Sequence, residues 1–302
     1  MKRLKYAIFL ISLLGCFGTL RASTLFVYPT PPDTMEHLQQ RCDYIVDHFW
    51  DRCKFDYAML HPDEFHAAFG NWIEIMPYAT ADTVHTAIDK LTQRFEKKAP
   101  EFTAISEMAR HWLHDDTATY RSDELYLQFA KAAGANKKID KNLRASYAAD
   151  AKRLESSMIG ATVPAVPVEM SDGSKGTFDD IKGKAILLIF DDAKDFDIRM
   201  ARARFNSSPA VRNLVDSGEL TIVDIYPYAA DDTWRAHAAE LPQSWVSVAM
   251  PQAEEYFEMR RKPQMYYLNS AHTVLLKDME IDGLLDVLNY ANQVLTTKNS
   301  NK

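Results

Sequence analysis

The cysteines have the most reactive side chains in this sequence, and there are three of them, Cys16, Cys42 and Cys53. The last two lie within residues 35–55, where apolar side chains recur at the spacing of one helix face. In a continuous helix they would stand about 16 Å apart, whereas a disulfide needs Cα atoms within about 7 Å. We therefore expect both to be small apolar core residues rather than a disulfide, a metal site or reactive thiols.

Histidines and aspartates come together at His111, His114, Asp115 and Asp116. Two imidazoles three positions apart share a helix face, and nearby carboxylates could complete a divalent metal site. No second segment supplies matching ligands, and the aspartates suit the end of a helix. We therefore expect a solvated helix end, and neither a bound metal nor a cofactor.

The charge of the chain argues against nucleic-acid binding. The formal net charge is -7 at pH 7, and no run of lysine and arginine supplies the clustered positive charge that contacts phosphates. One predicted helix is locally basic, but the spacing of its arginines does not put all of them on one face. We expect a solvent-facing stripe there, made of Arg199, Arg202, Arg204 and Arg212.

The N-terminus has the pattern of a secretory signal. Three basic residues within the first five positions precede an uncharged, mostly apolar run over residues 6–20, too short to span a membrane. Residues 14–16 resemble a lipoprotein signal, with Cys16 lipidated after removal of residues 1–15, whereas residues 20–22 resemble an ordinary cleavage site that makes 1–22 the signal peptide. Both alternatives predict export to the periplasm or cell envelope, with membrane attachment only through a lipid on Cys16.

Apolar spacing divides the remaining chain in two. Residues 23–157 contain successive stretches with apolar residues at helical spacing, which predicts an all-α domain. Residues 158–296 alternate β-branched runs with helical segments and then form a hairpin, which predicts a mixed sheet with flanking helices. The predicted strands are 166–170, 185–190, 220–225, 265–268 and 274–277, and residues 297–302 form a polar tail.

The start of this second domain resembles a known family. Residues 159–164, Asp172-Gly173 and residues 178–184, followed by the apolar strand ending at Phe190, are similar in order and spacing to secreted thioredoxin-like proteins of the thiol-disulfide interchange type. The resemblance implies an α/β thioredoxin-like C-terminal domain after the all-α domain. The helical half resembles a region of unknown function found ahead of thioredoxin-like domains in some bacterial secreted proteins.

The same resemblance locates a redox site without its sulfur atoms. In that family a Cys-x-x-Cys pair occupies the first turn of the helix after the strand, where the helix dipole favours a thiolate. Here the pair aligns with Asp195 and Ile198, and Phe196 and Asp197 lie between them. No cysteine follows Cys53, so the resemblance implies no thiol-disulfide catalysis, and we expect the aspartates to cap the helix.

A second match is the segment Lys262-Pro263-Gln264, which resembles the family's cis-proline and the start of its central strand. In the family this proline faces the redox turn, and neighbouring backbone pairs with an extended substrate. Pro263 is therefore the candidate for a cis peptide bond. Lys262 departs from the small or β-branched residue usual there, and it could pair with Asp195 or Asp197.

The resemblance and the missing cysteines favour a non-redox binding module of the bacterial cell envelope that engages a protein or peptide partner. The alternative is a non-redox enzyme, with or without a metal, because clustered carboxylates shift each other's pKa values. Its candidate residues in the former active-site cleft are Asp191, Asp192, Asp195 and Asp197. Redox chemistry through Cys42 or Cys53 would instead predict that the protein reduces insulin.

Overall fold

The computed structural model describes residues 25–190, 195–259 and 263–300. The predicted signal peptide, Cys16, Asp191, Asp192 and Lys262 lie outside these ranges. Within the described ranges, no helix is both long enough and apolar enough to cross a membrane. The chain divides into two compact units, one up to Ala148 and the other from Ala149 onward.

The first unit is all-α, as its apolar spacing predicts. Two of its helices begin at hydroxyl N-caps: Thr80 accepts the N–H of Thr83, and Ser122 accepts the N–H of Leu125. Its helices are α1 (Leu38–His48), α2 (Phe55–Met59), α3 (Pro62–Ile75), α4 (Ala81–Phe95), α5 (Ala99–Leu113), α6 (Asp123–Ala135) and α7 (Lys141–Ser157), with a 3-10 turn at Met76–Tyr78. The division between the two units falls inside α7.

The helical spacing over residues 35–55 does not come from one continuous helix. Helix α1 ends at His48, and the chain makes two turns before α2 begins at Phe55. Phe49 and Trp50, in the first of these turns, are both part of the core, where they are 0% and 6% exposed.

The two described cysteines are free and buried, which confirms their predicted role as core residues. Cys42 lies inside α1, and Cys53 lies in the turn that follows it. Burial raises the pKa of both thiols, that of Cys53 to about 12. Both side chains are therefore neutral at physiological pH and inaccessible to reagents.

Aromatic side chains fill the core of this unit. Gly70 of α3 lies directly beneath the ring of Trp112 of α5, and a Cβ atom at position 70 would be only 2.5 Å from that ring. Glycine is therefore needed there for the close approach of the two helices. The buried stripe of α6 consists of Tyr126, Phe129, Ala130 and Ala133.

The described residues of the second unit form one seven-stranded mixed sheet, in the order β2-β1-β5-β4-β3-β6-β7. The strands are β1 (Pro167–Met170), β2 (Lys175–Thr177), β3 (Ala185–Phe190), β4 (Leu220–Tyr226), β5 (Val246–Ala249), β6 (Met265–Asn269) and β7 (Val274–Lys277). Strand β4 pairs in parallel with β3 and β5, and the remaining pairs are antiparallel. The predicted mixed sheet is confirmed, including the hairpin of β6 and β7.

Strands β2 and β5 were not predicted. Strand β2 has the sequence Lys-Gly-Thr and lies at one edge of the sheet, where a single neighbour suffices and no apolar alternation is needed. Strand β5, with the sequence Val-Ser-Val-Ala, is as long as β1 and β7, and its alternating valines were the available signal.

Strand β3 is apolar throughout because both of its faces are buried. Ile186, Leu188 and Phe190 point into one core, and Leu187 and Ile189 point into the core on the opposite face. The helices of this unit are α8 (Phe196–Ser207), α9 (Pro209–Asp216), α10 (Asp232–Ala238), α11 (Ala253–Tyr256) and α12 (Ile281–Ser300). Helices α8, α9 and α12 cover the face of Leu187, and α12 extends through residues 297–300 of the predicted polar tail.

Candidate functional site

The end of strand β3 brings the two predicted site segments together. Phe190, the last residue of β3, donates its backbone N–H to the carbonyl oxygen of Gln264 at 3.0 Å. Pro263 therefore lies beside the point where the chain leaves the sheet on its way to α8. Since β3 and β4 are parallel, their carboxyl ends share one edge, which is where open α/β sheets usually place a ligand.

Asp195 is the N-cap of helix α8. One of its carboxylate oxygens, Oδ1, accepts the backbone N–H of Asp197 at 2.9 Å and that of Ile198 at 3.4 Å. These N–H groups belong to the first turn of a helix, where they have no partner within the helix itself. The carboxylate of Asp195 is thus engaged in the capping role predicted for it. The alignment of Asp195 with a redox cysteine stays a prediction.

The two faces of α8 differ sharply. Ile198, Ala201 and Phe205 are buried against the sheet. Phe196 and Met200, one turn apart on another side of the helix, expose 65% and 43% of their surfaces. Ile198, for which we predict an alignment with the second redox cysteine, is a core residue, whereas Phe196 projects into solvent.

The predicted solvent-facing arginine stripe on this helix is wrong for Arg202. Its side chain is 7% exposed and makes two contacts with Asp224 of β4: Nε donates at 2.8 Å and a terminal nitrogen lies 2.6 Å from the same oxygen. Asp224 is completely buried. A lone aspartate within the apolar strand sequence Leu-Thr-Ile-Val-Asp-Ile-Tyr was the available signal, since a buried carboxylate needs a partner.

A cavity of about 540 Å³ lies next to the exposed face of α8. Residues of three separate segments line it: helix α8, the chain entering β6, and the chain entering α12. Its apolar lining is Met200, Pro263, Met265, Met279 and Ile281, and its charged lining is Asp197, Arg204 and Glu280. Arg204 also bonds to Asp282. The structure thus brings Asp197 and Pro263, two of the predicted site residues, to one cavity.

Gln264, in contrast, is directed inward. It is 2% exposed, and its side-chain nitrogen donates to Asp278 Oδ1 at 3.0 Å. Asp278 has a positive φ of 57°, a conformation that asparagine and aspartate tolerate better than most residues. Among the three residues predicted for the proline groove, Pro263 lines the cavity and Gln264 is buried beside it. Lys262 lies outside the described residues.

The histidines of the first unit do not converge on a common ligand. His111 Nδ1 lies 3.8 Å from Asp115, while His114 stacks on Tyr126 with ring centroids 4.1 Å apart. His111 also contacts His66, at a centroid distance of 4.7 Å, and burial followed by this neighbour lowers the pKa of His66. In the part of the chain that the structure describes, no group of three or more His, Cys, Asp or Glu residues could hold a metal ion.

Comparison with solved structures identifies the fold. A thioredoxin-like protein from Bacteroides caccae matches 87% of this chain over 97% of its own length, with a TM-score of 0.68 and 23% identity. The fold is thioredoxin-like. Residues 17–156, ahead of the thioredoxin-like sheet, match the profile of a domain of unknown function, DUF5106.

Two further solved structures match less than half of the present chain. A conserved protein of unknown function from Bacteroides fragilis matches 44% of the present chain over 99% of its own length, with 25% identity and a TM-score of 0.41. The thioredoxin domain of a thiol-disulfide oxidoreductase from Bacteroides vulgatus covers 45% over 98%, with 19% identity and a TM-score of 0.38. Among curated proteins, none matches the sequence significantly.

Proposed function

We propose that this protein is a non-redox binding module that engages a protein or peptide partner through the exposed face of α8 and the cavity beside Pro263. The observation that carries the proposal is the exposure of Phe196 and Met200, one helical turn apart, where Met200 also lines the cavity. Exposed apolar side chains that continue into a concave surface are typical of interaction sites.

The cavity suits an adaptable apolar contact. Three of its lining residues are methionines, whose flexible thioethers can repack around different side chains. Burying the exposed part of Phe196 in an interface would contribute about 1–2 kcal/mol, a fraction of the roughly 1.5–3 kcal/mol for a fully buried side chain of this size. That contribution is large enough to make Phe196 an anchor of the interface.

The non-redox part of the proposal follows from the chemistry of disulfide exchange. Exchange requires a thiolate that attacks a disulfide and forms a mixed disulfide. The sequence has no cysteine after Cys53, and the thiols of Cys42 and Cys53 are buried with raised pKa values. The alternative of a carboxylate enzyme is weakened by Asp195, whose carboxylate caps α8.

Export completes the proposal. The basic start, the apolar run over residues 6–20 and the two cleavage patterns support a protein that works in the periplasm or is held in the envelope by a lipid on Cys16. Mass spectrometry of the mature N-terminus separates the two forms, because only the lipoprotein retains Cys16.

Peptide selection tests the binding site. Random phage-displayed peptides are selected on the native full chain, and the strongest are measured by fluorescence anisotropy. We expect Phe196→Ser and Met200→Ser each to weaken binding by about 5–30-fold, as the loss of about 1–2 kcal/mol implies. The matched control is Tyr290→Ser on α12, which removes a side chain that is equally exposed, at 68%, but does not line the cavity.

Two results would contradict the proposal. Peptides that bind all three variants as they bind the native protein would show that the face of α8 is not the site. Insulin reduction above the uncatalysed rate would show that the module has redox activity after all.

A further inference from the structure

A second cavity, of about 430 Å³, lies within the helical unit, outside the site described above. Its floor is formed by the end of α3, the 3-10 turn that follows, and the first turns of α4 and α6. Ile73, Met76 and Val84 on this floor are at most 3% exposed, and Leu125 adds a further aliphatic side chain. A concave aliphatic floor of this size fits a small apolar group.

The wall that contains Arg121 is held firmly by backbone hydrogen bonds. The N–H of Tyr120 donates to the carbonyl oxygen of Trp112 at 3.2 Å, and that of Ser122 donates to Leu113 at 3.0 Å. Both acceptors lie in the last turn of α5, so the segment 120–122 is fixed against that helix. Arg121, between them, lines the mouth of the cavity.

One carboxylate and one guanidinium line this mouth, and they have different partners. Glu124, the acidic residue of the lining, has Oε1 3.5 Å from Nε2 of His85, which also lines the cavity. The guanidinium of Arg121 donates to the neutral carbonyl oxygen of Asp115 at 3.0 Å. Within the described residues, no carboxylate lies within ion-pair distance of Arg121. The cavity therefore combines an aliphatic floor with a guanidinium that no described carboxylate contacts directly.

We propose that this cavity binds an amphipathic organic acid, with an aliphatic body on the floor formed by Ile73, Met76, Val84 and Leu125 and a carboxylate on Arg121. Guanidinium and carboxylate make charge-assisted hydrogen bonds, often two in parallel, and arginine retains donors for them after bonding Asp115. Burial of each methylene group adds to the affinity. The site is separate from the partner-binding surface of the thioredoxin-like unit.

The test compares three ligands that share one aliphatic chain: octanoate, octanol and octylammonium. Each is titrated into the full-length, methyl-labelled protein, and the methyl NMR signals of the four floor residues are followed. We expect octanoate to bind at least about tenfold more tightly than the other two, because only octanoate can pair with Arg121. Methyl signals of the thioredoxin-like unit should not move.

Two variants locate the contacts. Arg121→Gln should remove the preference for octanoate over octanol, while Arg52→Gln, at an exposed arginine of the same unit, should leave it intact. Ala81→Phe places a ring at the exposed rim of the cavity without changing its charge and should weaken all three ligands by about tenfold or more.

The proposal is overturned if the floor methyl signals do not shift with octanoate. It is equally overturned if Arg121→Gln keeps the preference for the carboxylate, since that preference would then not come from Arg121. Because these measurements concern residues of the helical unit, their outcome is independent of whether peptides bind beside Pro263.

Discussion

The buried pair of Arg202 and Asp224 allows the most direct test of how the thioredoxin-like unit displays its binding face. Replacing Asp224 with alanine leaves a guanidinium at 7% exposure without its carboxylate. Removal of one partner of a buried ion pair typically costs 3–5 kcal/mol, because the remaining charge stays desolvated. For a unit of about 150 residues, each kcal/mol lowers the melting temperature by about 2–4 °C, so we expect a fall of roughly 6–20 °C.

The double variant Arg202→Met/Asp224→Leu separates charge from packing. With both charges gone, the desolvation penalty disappears, and apolar replacements of buried ion pairs are often neutral or stabilising. We expect the double variant to regain most of the lost free energy of unfolding. Arg199→Met, at an exposed position of the same helix, serves as the control and should change stability by no more than about 0.5 kcal/mol.

Differential scanning calorimetry of the full chain measures these effects. We expect the transition of the thioredoxin-like unit to shift while that of the helical unit stays in place. The reasoning is refuted if Asp224→Ala lowers the free energy of unfolding by less than about 1 kcal/mol. It is also refuted if the double variant loses as much stability as the single variants Arg202→Met and Asp224→Leu together. The pair also fixes the rotation of α8, so Asp224→Ala should weaken peptide binding through Phe196 and Met200.

The remaining predictions concern a buried thiol and two helical glycines. Native Cys53 should resist iodoacetamide at pH 8 and react only after unfolding in urea, as counted by mass spectrometry, because burial raises its pKa to about 12. An unfolded thiol loses its proton near pH 8.5, so the unfolded chain binds fewer protons than the folded chain between about pH 8.5 and 12. The free energy of unfolding should therefore fall as pH rises through that range. The fall should be less steep in Cys53→Ala. Gly70→Ala should destabilise the protein by about 1–3 kcal/mol in urea titrations, because its Cβ would lie 2.5 Å from Trp112. Gly283→Ala in α12 meets only the flexible end of Met279 and should instead stabilise by about 0.5–1 kcal/mol; a loss of stability there would contradict the contact argument.

Much of the fold could be predicted because its elements have strong local patterns. Strand β3 is a continuous apolar run, and the hairpin of β6 and β7 has apolar strands around a short polar turn. Two strands were missed. Strand β2 is short and polar, whereas β5 carried a short signal in its alternating valines. The break after α1 was missed because helical spacing continues across it, although Phe49 and Trp50 both enter the core.

The candidate site was predictable in position but not in composition. The family resemblance pointed to Asp195 and Pro263, which stand at the start of α8 and just before β6. The exposure of Phe196 and Met200 depends on which face of α8 meets the sheet, and the contact of Arg202 with Asp224 joins residues on different elements. The contributions of Met279 and Glu280 to the cavity depend on where α12 begins in space.

By itself, the sequence determined that an all-α segment precedes a mixed sheet, and that no cysteine follows Cys53, because periodicity and residue type are local properties. Only the tertiary structure decided that Arg202 is buried while Phe196 is exposed, and that Met200, Pro263 and Met279 border one cavity. Those facts depend on the packing of α8 and α12 against one face of the sheet, which joins segments about 80 residues apart, and spacing along a chain does not encode that packing.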